Sequence, residues 1–280
     1  MAVYLETNAL RKLTDYKCQE PVYTTIFSIF ELLSGMSEDE FIKRQSCLKR
    51  IRNQKIEVRG PMIDKLFMKP LNMNDYNDNA YKGIMSAFLQ AIKIKNYSEF
   101  RSLYCNFNQV IIGNTDQWLK EWDSSIANIT KKIDSLFLDD ECSRNYIKNK
   151  YKKEGINGFA KYYYFKMFDS RIDEAKLSHA EAFVGSEEIE RCRQQADNLF
   201  KKYNYKLFIT AQAAIFAEAY FINGGFQNKN NASDLLHLLY LNENDKFVSN
   251  DKIYQKVKEA CPELNFVYLG NEKSLSELLS

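Results

Sequence analysis

The chain has 280 residues, 45% of them hydrophobic, and its 39 basic and 37 acidic residues leave a net charge of +2. That balance excludes a globally basic polyanion binder, so any nucleic-acid footprint has to be local. The length is enough for one large domain or two modest ones with a real core. The cysteines, Cys18, Cys47, Cys105, Cys142, Cys192 and Cys261, are scattered singly, which excludes zinc-knuckle and redox-pair spacings and reads as reduced, mostly buried thiols.

Taken in chain order, Val3-Tyr4-Leu5 reads as a strand that ends at Glu6-Thr7-Asn8 and turns into a short helix through Leu13. A helix from about Thr25 to Ser34 follows, stopped by Gly35. Glu38 to Arg52 is expected to be an exposed helix with Phe41, Leu48 and Ile51 on its buried stripe. Ile56-Glu57-Val58 has strand composition and precedes the turn pair Gly60-Pro61. The polar stretch Asn72 to Asn79 is the best candidate boundary.

Beyond it, to about Asn204, the pattern is helical: Ala80 to Lys95, Tyr97 to Val110, Thr115 to Phe137 and Ser186 to Tyr203. Lys206 to Ile222 is an apolar helix, broken by Thr210, Gln212 and Glu218 and so too polar to span a bilayer. A loop through Asn223-Gly224-Gly225 leads to Ser233, expected to cap a helix beginning at Asp234. Lys246 to Ser249 reads as a strand, Asp251 to Ala260 as a helix, and Phe266-Val267-Tyr268 as a last strand. The expected fold is therefore α/β with a parallel sheet, made of residues 1–70 and 205–280 and interrupted by an all-helical insertion at 71–204. The N-terminus has no basic segment followed by an apolar one, so a soluble, cytoplasmic protein with no membrane partner is expected.

Open parallel sheets bind ligands beyond the carboxyl ends of their strands. Glu6 directly follows the first strand, and Asp251 lies two residues after Ser249. Asp234 sits in the first turn of a helix leading to that same strand, and Glu31 sits on the apolar face Ile26-Phe27-Ile29-Phe30-Leu32-Leu33. Taken singly, each has an ordinary reading as a cap, a first-turn acid or an ion-pair partner. Taken together, acids at strand ends and on apolar faces suit a hard divalent cation held by oxygen. His237, one turn after Asp234 on an apolar helix, reads as structural or supporting, and His179 belongs to no constellation.

These residues resemble the PIN-domain family. Val3-Tyr4-Leu5-Glu6-Thr7-Asn8 is similar to its opening strand, and Ser28-Ile29-Phe30-Glu31-Leu32-Leu33-Ser34-Gly35 to its second helix with a metal-site Glu. Asp234-Leu235-Leu236-His237-Leu238-Leu239 resembles its third acidic motif, and Phe247-Val248-Ser249-Asn250-Asp251 its last. The resemblance covers roughly residues 1–60 and 205–280. It implies a PIN-like α/β/α sandwich and Mg²⁺- or Mn²⁺-dependent phosphodiester hydrolysis, with RNA favoured. By position, Glu6, Glu31, Asp234 and Asp251 would be catalytic and hold metal, with Thr7, Asn8 and Ser249 supporting them. The family usually has Asp at the position of Glu6, and the extra methylene moves a carboxylate by about 1 Å. The site is then either adapted to Glu or impaired.

The expected insertion carries one distinctive segment. Arg144 to Arg171 has eight basic residues against Glu154 and Asp169, interleaved with Tyr151, Phe159, Tyr162, Tyr163, Tyr164, Phe165 and Phe168. Basic charge attracts phosphates and aromatic faces stack on bases, which makes Lys150, Lys152, Lys153, Lys161 and Lys166 candidate nucleic-acid contacts. A core helix with a solvated charged face is the equal alternative, as is a lid or a homo-oligomer contact. The functional expectation is an endoribonuclease, such as a toxin or defence effector with an inhibitory protein partner. The alternatives are a nuclease for single-stranded or flap DNA, a non-catalytic scaffold binding RNA or protein, and a helical interaction module.

Overall fold

The computed structural model describes residues 1–13, 20–63, 79–107, 201–217 and 231–270, with isolated positions between them. The chain divides into two compact units, Met1–Lys120 with Tyr240–Lys258 and Glu263–Ser280, and Glu121–Leu239 with Glu259–Pro262.

The first unit is built on five strands, β1 (Val3–Leu5), β2 (Val22–Thr25), β3 (Glu57–Arg59), β4 (Lys246–Ser249) and β5 (Phe266–Tyr268). All pair in parallel, in the order β3-β2-β1-β4-β5. Helices α1 (Thr7–Arg11), α2 (Ile26–Ser34), α3 (Phe41–Asn53), α4 (Asn79–Ala91) and α5 (Tyr97–Phe107) follow the first three strands. In the second unit lie α6 (Tyr203–Ala217), the short α7 (Asn231–Asp234) and most of a 3-10 helix, Leu235–Tyr240, while α8 (Ile253–Ala260) crosses between β4 and β5. The fold is α/β, as the alternation at both ends of the sequence predicts. Among the described residues, no strand lies between Arg59 and Lys246, and no helix is long and apolar enough to cross a membrane.

The sheet orders itself through one row of aromatic residues. Tyr23, Tyr4, Phe247 and Phe266 are register partners on four adjacent strands, so their side chains leave the same face of the pleat. Tyr4 stacks on Tyr23 at 5.1 Å between ring centroids, and Phe247 follows at 5.3 Å and Phe266 at a further 5.9 Å. Arg59 closes the row, its guanidinium 3.7 Å from the Tyr23 ring centre. Such pairs contribute about 0.5–1.5 kcal/mol each beyond their buried area, and they penalise a slipped register.

At the amino end of the strands the Tyr23 hydroxyl meets a buried carboxylate. Asp245 accepts from Tyr23 Oη at 2.8 Å, Ala2 N at 3.3 Å, Asn242 N at 3.1 Å and Asn242 Nδ2 at 3.0 Å. Burial first, then donation to Asp245, holds the Tyr23 phenol far above its ordinary range.

Three elements differ from expectation. Val22-Tyr23-Thr24-Thr25 is a strand where the sequence pattern assigns no element before the helix at about Thr25, because no turn residue separates the two: Thr25 ends β2 and caps α2, accepting from Ser28 N at 3.3 Å. α3 begins at Phe41, after a turn in which Ser37 Oγ accepts from Glu40 N at 3.3 Å. Ser233 lies inside α7 instead of capping a helix, and Asp234 is followed by 3-10 geometry. The expected boundary at 72–79 lies outside the described residues except for Asn79, as do nearly all of the expected helices from Thr115 to Phe137 and Ser186 to Tyr203.

Two outcomes follow for this unit. Asp245→Ala strands several donors and should lower unfolding free energy by about 3 kcal/mol, read as a fall in the urea midpoint, with Asn242→Ala costing less. The buried Cys47 thiol donates to Leu10 O at 3.0 Å, and burial pushes it up to about 12 from an ordinary 9.0. Its contribution to stability is full below pH 9 and is lost as pH rises from there toward 12, where the unfolded chain releases a proton that the native thiol keeps. Native protein at neutral pH should therefore resist thiol alkylation at Cys47 until denatured.

Candidate metal centre

The strand order runs outward from β1 through β2 to β3, then returns to β4 beside β1. This reversal makes the carboxyl ends of β1 and β4 the topological switch point, where open α/β sheets take ligands. Glu6 leaves β1 there, and Ser249 ends β4.

Glu6 is 3% exposed and caps α1, its Oε2 accepting from Asn8 N at 3.0 Å. The same oxygen accepts from Ser249 Oγ at 2.8 Å, across 243 residues of sequence. Ser249 Oγ accepts in turn from Asp251 N at 2.9 Å. Asn8 Nδ2 donates to Asp251 Oδ2 at 2.5 Å. Thr7 Oγ1 donates to Glu31 Oε2 in a short contact. Glu31, half-buried on an otherwise buried stretch of α2, brings a carboxylate oxygen within 4.8 Å of one from Glu6. Two ionised carboxylates at such a separation repel by roughly 3 kcal/mol at the effective dielectric of a protein surface, and a divalent cation between them reverses the sign.

The support beneath the pair is polar and buried. Tyr4 Oη lies 3.1 Å from Thr25 Oγ1, which lies 3.3 Å from Ser28 Oγ, one turn before Glu31. Burial raises the Tyr4 phenol well above its usual range, with the charges of Glu6 and Glu31 adding to that rise. Thr24 Oγ1 donates to Leu5 O at 2.8 Å, satisfying the carbonyl where β1 ends.

At the far end of α2, Arg44 Nη1 donates to Glu31 O at 2.9 Å and Leu32 O at 3.4 Å. Gly35 permits this approach, since a Cβ there would fall 2.4 Å from Arg44 Nη1. Burial, then the like charge of Arg11, holds the Arg44 guanidinium below its ordinary range. Lys12 Nζ reaches Asn250 Oδ1 at 3.2 Å and Gly270 O at 2.5 Å, holding the turns after β4 and β5 to α1.

The structure thus brings together six of the expected site residues: Glu6, Thr7, Asn8, Glu31, Ser249 and Asp251. Asp234 ends α7, half-buried, and belongs to the second unit, as does His237, which is buried. Lys152 and Lys153 are helical and exposed, whereas Lys150, Lys161 and Lys166 lie outside the described residues. Sequence reasoning missed Lys12, Tyr4, Thr25 and Arg44. Thr25 has a local signal, a hydroxyl three residues before Ser28 at a helix start. Lys12 has none, because its partners are more than 230 residues away. Compared with protein-family models, curated proteins and solved structures, the chain finds no match.

Ser249→Ala removes a buried donor to Glu6 and the acceptor for Asp251 N. We expect a loss of about 1–3 kcal/mol in unfolding free energy, measured by denaturant titration, with Ser249→Thr retaining more of it than Ala.

Proposed function

We propose that this protein is a metal-dependent endonuclease of PIN-like architecture, with RNA as the favoured substrate, its α/β unit interrupted by a helical insertion. The observation that carries the reading is the meeting of the Glu6 and Glu31 carboxylates at the switch point, braced by Thr7, Asn8, Ser249 and Asp251. The two carboxylates offer hard oxygens, which suit Mg²⁺ or Mn²⁺.

In this reading Glu6 and Glu31 would hold the cation, which would supply Lewis acidity toward a phosphodiester. Thr7 fixes the rotamer of Glu31, and Ser249 fixes that of Glu6. Asn8 engages Asp251 through Oδ2, leaving Asp251 Oδ1 to take a proton from the attacking water. Glu6 and Asp251 follow strands and Glu31 lies within α2, which is held at both ends, so little reorganisation accompanies binding.

A second reading is favoured by one detail. Glu6 already spends Oε2 on capping α1 and on Ser249, which is what a structural acid in a non-catalytic scaffold would do. The two readings part in a cleavage assay on labelled single-stranded RNA, structured RNA and single-stranded DNA, with Mg²⁺ or Mn²⁺. The nuclease reading expects cleavage that chelator abolishes and that Glu31→Gln lowers by about 100-fold or more. In the same reading saturating Mn²⁺ raises the thermal midpoint of the wild type, by about 2.7 kcal/mol of added stability at a hundred times its dissociation constant. That shift should be missing in Glu31→Gln. No cleavage of any substrate and no cation-dependent shift would overturn it and leave the scaffold. Glu6→Asp then separates adaptation from impairment: lower activity marks a site fitted to Glu.

A further inference from the structure

α3 is out of balance in charge. Its thirteen residues include Lys43, Arg44, Lys49, Arg50 and Arg52 and no acid. The helix thus carries +5 over thirteen residues in a chain whose overall charge is +2. A solvated helix face ordinarily mixes signs at spacings of three and four. Here, among the described residues, ion pairs reach α3 only at its first turn, where Glu40 takes Lys43 at 3.2 Å, Arg44 at 3.7 Å and also Arg11 at 2.6 Å. Three cations share that single carboxylate. Along the rest of the helix Lys49 donates to Gln45 Oε1, a neutral group, at 2.8 Å. Lys43, Lys49 and Arg52 are exposed.

The helix is also fixed to the elements that carry the acids. Arg44 bonds the carbonyl of Glu31 itself, Arg50 Nη1 donates to Leu13 O at 2.9 Å beyond α1, and the Cys47 thiol donates to Leu10 O. A ligand seated along α3 is therefore held in constant relation to Thr7 and Glu31, the residues at the start of α1 and within α2.

We propose that the exposed side of α3 is the docking face for the phosphodiester backbone of a nucleic-acid strand, with Lys43, Lys49 and Arg52 neutralising its phosphates. The proposal rests on the nuclease reading for the direction in which the strand is led, toward the acid pair, and on charge complementarity for the occupant. Lys49 and Arg52 are one turn apart on one flank of the helix, whereas Lys43 lies about 14 Å from Arg52 along the axis and about half a turn around it, so a strand crossing the exposed side obliquely meets them at separate phosphates. Base identity plays no part in this contact, since these groups recognise charge.

The test uses the full chain carrying Glu31→Gln, with chelator present, so that binding is read without cleavage. Affinity for short labelled oligouridine and oligothymidine is measured against salt concentration. Replacing Lys43, Lys49 and Arg52 together by Gln should lower the salt slope by about two, the counterion release of three single-strand phosphates at roughly 0.7 each. Affinity at low salt should fall by about 10-fold or more. The charge-keeping set Lys43→Arg, Lys49→Arg and Arg52→Lys should keep slope and affinity, and an unchanged thermal midpoint for the Gln set excludes unfolding as the cause. Equal loss on both oligomers assigns the contact to the shared backbone, while loss on one alone assigns it to RNA or to DNA. An unchanged slope in the Gln set, or no binding by the parent protein, overturns the proposal. Binding that depends on α3 in a protein whose wild type cleaves nothing would sink the nuclease reading and leave the docking face standing.

Discussion

Oε2 of Glu6 accepts two hydrogen bonds, from the amide of Asn8 in the next helix and from the hydroxyl of Ser249 in the neighbouring strand. Through the first it starts α1. Through the second it joins the two ends of the chain at the point where β1 and β4 stop. Ser249 then passes the constraint on, accepting from the amide of Asp251, while Asn8 grips the Asp251 carboxylate. A carboxylate used this way has its rotamer dictated by two directions at once, and the residual freedom of its other oxygen is small.

The rest of the first unit keeps those ends where they are. The row Tyr23, Tyr4, Phe247 and Phe266 locks the register of four strands on one face. At one end of the strands Asp245 gathers its donors, and at the other Thr24 satisfies the carbonyl of Leu5. α2 is held at both ends by different chemistry, a hydroxyl cap from Thr25 and a guanidinium from Arg44 lying over Gly35. Glu31, between them, is thereby placed by backbone contacts as much as by its own hydrogen bond to Thr7.

What was legible in the sequence follows from how local each signal is. Val3–Leu5, Lys246–Ser249 and Phe266–Tyr268 are short apolar runs bounded by turn or polar residues, and they are strands as expected. The stop of α2 at Gly35 and the buried stripe Phe41, Leu48 and Ile51 of α3 were equally plain. β2 was hidden because Thr25 serves strand and helix together, with no punctuation between them. Acids at strand ends pointed to Glu6 and Asp251, since a parallel sheet can place its ligand there. The pairing of β1 with β4, the contact of Lys12 with Gly270 and the cap from Arg44 were beyond reach, being set by tertiary contacts that leave no trace in neighbouring residues.

The central position of β1 has a consequence for synthesis on the ribosome. Its hydrogen-bonding partners are β2, some twenty residues downstream, and β4, more than two hundred and forty. Domains fold as their segments emerge, so β1 and β2 can meet early while the other edge of β1 waits for more than two hundred further residues. During that interval Val3–Leu5 is an apolar strand with an unpaired side, the kind of edge that recruits other chains. The group around Glu6 also lacks Ser249 and Asp251 until more than two hundred and forty further residues are made, so the nascent protein holds its acids without the brace that aligns them.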